Sequence, residues 1–292
     1  MLLSPPESLC AALLRRGQFP RSARKIRAGF TLIEMMISMS ILSFAAAVFG
    51  GLMLAISAAW DHSTALEDSR RQAQTSLSRI KWMIQQSGTY RISGRSTQLG
   101  LAVISTSWGS YQAPTGLVVW SGGTNGGMNS QGLQSRLPKA SELVVYVPDT
   151  NPSRLVEVTF PGSSIDVDFQ ASSFVGTVQS LMASASRRTI LLCDRLHATT
   201  ASGSSSSTGN IRFELMASPT DSQISAVALG SQGWNDLPWG QGLVSADGGL
   251  RTANVRIELL LDPDPNKITT DNGYSTAVPF LGSANRQYVF QR

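Results

Sequence analysis

The sequence contains few of the residues that build disulfide scaffolds and metal sites. It has two cysteines and two histidines in 292 residues. It has no Cys-x-x-Cys or His-Glu-x-x-His pair, so the ligands of an ordinary zinc site are missing. Only Cys193 lies beyond Gly29, and a chain without that first stretch could form no intrachain disulfide. The composition argues against a disulfide-rich scaffold and against a zinc enzyme.

Charged residues are also scarce, and their excess lies at one end. They make up 15% of the chain, against about 25% in an average soluble domain. The formal net charge is +5, and residues 1–29, with six basic and one acidic side chain, account for all of it. Residues 30–292 hold 18 basic and 18 acidic side chains. A neutral body does not predict a nucleic-acid partner.

A long uncharged run follows the basic tail. Residues 35–60 are 26 residues without a charged side chain, and a helix of that length spans about 39 Å, more than the ~30 Å hydrocarbon core of a bilayer. A buried core helix would rarely lack a polar face over such a length. The run also exceeds the ~7–15 residues of a secretory signal. We therefore predict a membrane helix, with residues 1–29 cytoplasmic and the chain after Asp61 exported.

One carboxylate interrupts the apolar sequence near its start, in the string Gly29-Phe-Thr-Leu-Ile-Glu34. A charge in a membrane helix costs at least ~2.5 kcal/mol at mid-depth and less near the interface. Glu34 could simply reach the cytoplasmic interface. The string, with basic residues before it and an uninterrupted apolar helix after it, resembles the N-terminal signal of type IV pilins and pseudopilins.

The resemblance implies a processing and assembly pathway. Prepilin peptidase would cleave after Gly29, and the new N-terminal residue, Phe30, would be N-methylated. Glu34 would pair with the N-terminal amine of a neighbouring subunit and set the axial register of a filament. The implied partners are other pilin or pseudopilin subunits and an inner-membrane assembly platform with a separate ATPase. No cofactor, catalytic residue or nucleic acid is implied.

The helix is expected to continue past the membrane. Residues 61–86 carry apolar side chains 7, 4, 3 and 4 positions apart, at Leu66, Ala73, Leu77, Ile80 and Ile84, which is one face of an amphipathic helix. A single helix over residues 30–87 is therefore predicted, with Gly88 as its stop. Gly50-Gly51 could bend it or allow close helix packing, and both alternatives remain open.

Residues 88–292 have a β-rich texture, so the predicted fold is α+β and pilin-like: a long membrane-spanning N-terminal helix packed on a β-rich head. The domain plan is a leader (1–29), a membrane and filament-core helix (30–60), its amphipathic continuation (61–87) and the head. A short helix is predicted near 174–183, and disorder over 121–136 and 201–210. Eight segments are predicted as strands: 117–120, 142–147, 155–160, 165–169, 189–193, 211–216, 254–261 and 287–290.

The distal half resembles a narrower group. Leu191-Leu-Cys-Asp-Arg-Leu196 precedes a strand at 211–215, a tryptophan-rich loop at 233–239 and an Asn-Val-Arg-Ile-Glu-Leu strand starting at Asn254. This order is similar to the J-type minor pseudopilins of type II secretion and the W-type minor pilins of type IV pili. It implies a minor subunit. The size of the head, about 200 residues against the ~100–150 commonest for one domain, favours a component that initiates the filament at its tip.

Other candidates for chemistry have plainer alternatives. His197 follows Asp194 by three residues, but no Gly-x-Ser-x-Gly sequence supplies a nucleophile, so a structural histidine is the expectation. Asp262, Asp264 and Asn266 match the first three oxygen ligands of a calcium loop, although the glycine and glutamate required later are absent. A proline-stiffened turn is the other interpretation.

The functional alternatives follow from these candidates. Trp234 and Trp239 could form a binding face or buried anchors under a loop. A head acting mainly in adhesion or DNA uptake is therefore one rival function, and a membrane-tethered hydrolase is another. The sequence offers no motif for the second, and we predict that the chain is not an enzyme.

Overall fold

The computed structural model describes residues 30–105, 115–200, 207–239, 243–245, 247–263 and 277–292. The chain divides into two compact units, one ending at Ile56 and the other running from Ser57 to Arg292. The single long helix α1 starts in the first unit and ends in the second.

Helix α1 spans Leu32–Gln85, 54 residues in all, so the predicted helix over 30–87 is confirmed to within two residues at each end. It runs through Gly50 and Gly51 without a break. Beyond its end, a Cβ on Gly88 would lie 2.9 Å from the ring of Trp120. A side chain at Gly88 would therefore displace that ring, which explains the glycine at the predicted stop.

The rest of the second unit is mostly β structure, with two further helices, α2 (Phe174–Ala183) and α3 (Asp221–Ala228). Helix α2 lies where it was predicted, and α3 was not predicted. The first seven strands are β1 (Thr89–Tyr90), β2 (Gln98–Leu99), β3 (Leu101–Ile104), β4 (Gly116–Trp120), β5 (Leu133–Gln134), β6 (Leu143–Pro148) and β7 (Leu155–Thr159). The other seven are β8 (Arg188–Cys193), β9 (Ala198–Thr200), β10 (Ser207–Gly209), β11 (Ile211–Ser218), β12 (Leu243–Ser245), β13 (Gly248–Leu261) and β14 (Val278–Gln291).

Two larger antiparallel sheets form most of the head, beside a three-stranded sheet (β2-β1-β5) and a two-stranded one (β10-β9). The first has the order β3-β4-β6-β7-β8. In the second, β13 pairs with β14 on one side and with β11 and β12. The second half of α1 packs against both sheets through one apolar cluster, so the α+β, pilin-like prediction is confirmed. Its fully buried members on α1 and the two sheets include Ala73, Ile80, Ile84, Leu117, Val144, Leu155, Val255, Ile257 and Leu259.

One predicted strand was wrong. Residues 165–169 alternate apolar and acidic side chains, yet only Asp166 forms an isolated bridge, with Lys139. The neighbouring segment is a short irregular stretch that offers few groups to pair with: Ala140 donates to Ile165, and Val167 donates to Pro138. The chain then turns at Asp168, whose carboxylate accepts from the backbone of Gln170 at 3.0 Å.

The prediction of disorder over residues 121–136 was also wrong. The segment forms two short 3-10 helices and β5, and it lies at the end of α1, where Asn129 donates to the carbonyl of Gln86 at 3.1 Å. The glycines supply the turns, because Gly122 and Gly127 have φ of 94° and 104° and only glycine adopts such angles without cost. Of the other stretch predicted to be disordered, residues 207–209 form β10, and residues 201–206 lie outside the described part.

A carboxylate holds this glycine-rich segment in place. Glu142 accepts from Trp120 Nε1 at 3.0 Å, from the guanidinium of Arg136 at 2.6 and 2.9 Å, and from the backbone of Lys139 at 3.1 Å. Burial opposes the charged form, but these donors outweigh it, and the pKa of Glu142 is lowered. The composition of the segment alone does not reveal these hydrogen bonds to Glu142.

We expect acid to loosen the segment. In the folded chain the pKa of Glu142 lies below the ordinary value of about 4.3 for a glutamate. The stabilisation of the fold by the ionised Glu142 carboxylate is therefore complete above about pH 4.3, and it is lost as the pH falls through the lowered pKa. Hydrogen exchange at residues 121–134, corrected for intrinsic rates, should accelerate between about pH 6 and about pH 3. In Glu142→Gln the same amides should exchange fast already at about pH 6, and their corrected rates should change less between the two pH values. Equal protection in both proteins at both pH values would contradict this.

Candidate functional site

The start of α1 is fixed by two side chains that cap each other. The backbone N–H and the hydroxyl of Thr31 both donate to Glu34 Oε2 at 2.9 Å, and the backbone N–H of Glu34 donates to Thr31 Oγ1 at 3.3 Å. This is a capping box, which satisfies donors that every helix N-terminus leaves free. Within the described residues, Glu34 Oε1 has no hydrogen-bond partner.

The capping box lies beside the predicted processing site. Phe30 is 77% exposed and directly precedes Thr31, whose backbone N–H and hydroxyl bond to the Glu34 carboxylate. Gly29 lies outside the described residues. Thr31 therefore bonds to one oxygen of the Glu34 carboxylate, and no described residue bonds to the other.

The first unit exposes an apolar helical surface. No residue of α1 from Leu32 to Ile56 is buried, although most side chains there are apolar. Among the described helices, α1 alone is long and apolar enough to cross a membrane. Such a surface is stable only in lipid or against other apolar helices. Its largest exposed side chains include Leu32, Ile33, Met36, Ile41, Leu42, Phe44, Phe49, Met53 and Leu54.

The second half of α1 is joined to the head by a buried ion pair. The guanidinium of Arg79 donates to both carboxylate oxygens of Glu157 on β7, at 2.7 and 2.8 Å. The hydroxyl of Tyr146 on β6 donates to the same carboxylate at 3.1 Å. Glu157 is 1% exposed. Hydrogen bonding to Glu157 raises the pKa of Arg79, and burial raises the pKa of Tyr146 well above its usual value.

Sequence reasoning missed this connection. Arg79 is not among the apolar positions that define the predicted helix face, yet its side chain is only 27% exposed and bonds inward. Glu157 was one acidic residue in an apolar strand, a pattern that can signal a buried partner. Because the two residues are far apart in sequence, a single sequence gave no reason to pair them.

A second group of contacts holds an earlier part of α1. Arg195 donates to the carbonyls of Ala65 and Pro263 at 2.9 and 3.0 Å. His197 Nδ1 lies 2.8 Å from the carboxylate of Asp262, and the hydroxyl of Ser69 donates to the carbonyl of Asp262 at 3.3 Å. His197 therefore pairs with Asp262 and not with Asp194. The expectation of a structural histidine fits its 8% exposure.

The same pairing bears on the calcium hypothesis. Asp262 directs its carboxylate to His197, whereas Asp264 and Asn266 lie outside the described residues. Among the residues that the structure describes, no group of three or more His, Cys, Asp or Glu side chains could hold a metal ion. Calcium binding by this loop stays an untested prediction.

The two loop tryptophans pack on the second sheet. Their ring centroids are 4.6 Å apart, and those of Trp234 and Trp239 lie 6.2 and 6.3 Å from Phe290 on β14. Trp239 Nε1 donates to the carbonyl of Trp234 at 2.9 Å, and its ring lies where a Cβ on Gly249 would be. This packing favours the anchor interpretation over an open binding face.

Comparison with known families gives a match at the N-terminus. The family model described as "Prokaryotic N-terminal methylation motif" matches residues 24–50. No curated protein and no solved structure matches the chain. The matched stretch contains Gly29, Phe30 and Glu34 together with the first part of the exposed apolar helix. It ends before the head, so the J-type or W-type resemblance stays a prediction.

Proposed function

We propose that this chain, which carries the N-terminal methylation motif of type IV pilin-like proteins, is a minor subunit of a type II secretion pseudopilus or a type IV pilus. The observation that carries the proposal is that the methylation motif overlaps the capping box and the exposed start of α1. The motif at residues 24–50 covers the Thr31–Glu34 capping box and the start of α1, where no residue from Leu32 to Ile56 is buried. An ordinary membrane anchor requires the apolar helix but not the methylation motif.

The first step is processing at the cytoplasmic face of the inner membrane. Prepilin peptidase removes residues 1–29 by cutting after Gly29, and the new amine of Phe30 is methylated. The chain is then held in the membrane by residues 30–60, followed by the amphipathic continuation over 61–87 and the exported head over 88–292. This plan places one membrane pass between a cytoplasmic leader and a periplasmic or extracellular head, in agreement with the positive-inside rule.

Assembly then depends on Glu34. Thr31 holds Oε2 of the carboxylate at 2.9 Å and leaves Oε1 without a partner among the described residues. The methylated amine of a neighbouring subunit is a cation of the right charge for that oxygen. In the low dielectric of a helix bundle, a buried charge is tolerable when paired and costly when its partner is missing. Only one axial register of two neighbouring helices satisfies both groups.

A minor role is supported by the size of the head. Residues 88–292 exceed the ~100–150 residues commonest for one domain, and α3 with the tryptophan-rich loop adds structure to the second sheet. The proposed partners are other pilin or pseudopilin subunits and an inner-membrane assembly platform with its own ATPase. The choice between secretion and pilus systems rests on the partners.

The peptidase should require a small residue before the cut. Gly29→Ala is expected to slow processing slightly, and Gly29→Leu is expected to slow it by more than about tenfold, a loss of only ~1.4 kcal/mol in transition-state binding. Gly50→Leu is the matched control, because no atom lies within 4 Å of a Cβ at that glycine. Pulse-chase labelling with the peptidase measures the rates. Efficient cleavage of Gly29→Leu would count against the assigned site.

The whole proposal is tested by intact mass and N-terminal sequencing of the membrane-extracted chain after co-expression with a prepilin peptidase. A chain beginning at methylated Phe30 is the expected result. A chain beginning at Met1, or one cut near Trp60, would identify an ordinary anchor or signal peptide, and the filament function would be wrong.

A further inference from the structure

The last strand of the head has one unpaired edge. Strand β14 pairs with β13 over its full length, from Val278 opposite Leu261 to Gln291 opposite Gly248. Within the described part of the chain, no strand pairs with its other side. At the end of the strand, Thr97 donates to the carbonyl of Gln291 at 3.0 Å, and the backbone N–H of Gln291 donates to Thr97 Oγ1 at 3.1 Å. No described residue bonds to the outward-pointing backbone groups of β14 before that position.

This edge lacks the features that usually protect an edge strand. Natural edges are short, charged, interrupted by proline or bent by a bulge. Strand β14 has 14 residues in regular register, with Pro279 near its start and Arg286 as its single charged side chain. Leu281 and Val289 are 60% and 40% exposed. A strand of this length and composition is a ready template for pairing.

Two cations that form no ion pair with any described residue lie at this strand, Arg286 on β14 itself and Lys81 on α1. Arg286 is half-buried, its Nε is shielded from solvent without a hydrogen-bond partner, and desolvation lowers its pKa. Lys81 of α1 crosses over Gly282, where its Cε would be 3.0 Å from an added Cβ. A half-buried, unpaired cation calls for a carboxylate.

We propose that the open edge of β14 receives an extended acidic segment from the head of a neighbouring pilin-like subunit. Lys81 lies over Gly282, which is four residues before Arg286 on the same face of the sheet. Four strand residues span about 13 Å, so the two cations are about that far apart along β14. The incoming strand therefore carries carboxylates at positions i and i+4, one for each cation. This inference rests on the proposed filament function, which places heads side by side.

The test is site-specific photocrosslinking of the full-length chain in cells that assemble the filament. The photoreactive residue replaces Ser283 or Gln287, both exposed on β14, and in the control it replaces Arg212, exposed on β11. We expect adducts from the β14 positions whose partner, by mass spectrometry, is another pilin-like subunit with a methylated N-terminus. Adducts only with copies of this chain or with unrelated proteins, or equal yields at Arg212, would overturn the proposal.

Charge reversal tests the recognition chemistry. The variant Lys81→Glu/Arg286→Glu should lower the adduct yield by about tenfold, and Arg286→Gln, which removes one charge and keeps a polar side chain, should lower it less. Arg188→Glu, on edge strand β8, is the matched control and should retain the yield. Undiminished adducts in the double variant would contradict the role of the cations.

The two hypotheses fail separately in this design. A methylated Phe30 with no adduct at β14 would overturn the docking edge alone. An unprocessed N-terminus would overturn the filament function, and the docking inference with it.

Discussion

Glu34→Leu is expected to insert and to be cleaved normally, yet to enter filaments about a hundredfold less often than the unchanged chain. Leucine removes the carboxylate that would pair with a neighbour's amine, so that amine would be buried without a counter-charge. Breaking a buried pair typically costs about 3–5 kcal/mol, which corresponds to a factor of at least about a hundred. The measurement is an immunoblot of sheared filaments against the membrane fraction, with the N-terminal mass of each.

The matched control is Glu67→Leu on the same helix. Glu67 is exposed and forms a 3.4 Å ion pair with Arg71 one helical turn away, an arrangement that contributes only about 0.3–0.5 kcal/mol. This variant should enter filaments like the unchanged chain. If Glu34→Leu did so too, Glu34 would have no part in assembly, and the carboxylate would simply reach the membrane interface.

Glu157→Ala is expected to lower the free energy of unfolding of the head by about 3–5 kcal/mol. The substitution leaves the guanidinium of Arg79 and the hydroxyl of Tyr146 without the carboxylate that accepts from both. Denaturant titration of the full chain in detergent, followed by tryptophan fluorescence, measures the change. Glu67→Ala is the reference, with an expected loss of no more than about 0.5 kcal/mol.

A triple variant separates the cost of an unpaired group from the value of the pair. Arg79→Met, Glu157→Leu and Tyr146→Phe together remove the three polar side chains of the cluster, and buried ion pairs replaced by apolar groups often lose no stability. The carbonyl of Thr124, which accepts from Arg79 at 2.6 Å, loses that donor in the triple variant. The triple variant should therefore be more stable than Glu157→Ala. A Glu157→Ala protein as stable as Glu67→Ala would show that water replaces the carboxylate and that the pair is not closed to solvent.

The long helix and most strands could be predicted because their signals are local. An uncharged run and a 3.6-residue period define α1, and β-branched runs define β4, β6 and β7. The prediction for β14 covered only residues 287–290, whereas the strand begins at Val278. Its first half contains Pro279, Gly282 and Ser283, which local propensity assigns to loops. Pairing with β13 overrides that propensity.

The long-range contacts could not be predicted for the same reason. Arg79 and Glu157 are 78 positions apart, and nothing in a single sequence indicates that they meet. The glycine-rich stretch after Trp120 is ordered by Glu142, which the composition of the stretch does not include. The predicted functional residues, in contrast, form one short contiguous motif. That motif was found because it is local, and the Thr31 contact within it is visible as Thr-x-x-Glu.

The attachment of the head to the second half of α1 has a mechanical consequence. The polar contacts lie side by side along the helix, at Ala65, Ser69, Ser76 and Arg79. A pull along the helix axis loads them in shear, so the strain is shared among several bonds and none is opened alone. A peeling force would break them one after another at much lower tension. Extraction of a subunit along its own helix axis therefore applies force in the direction in which this joint is strongest.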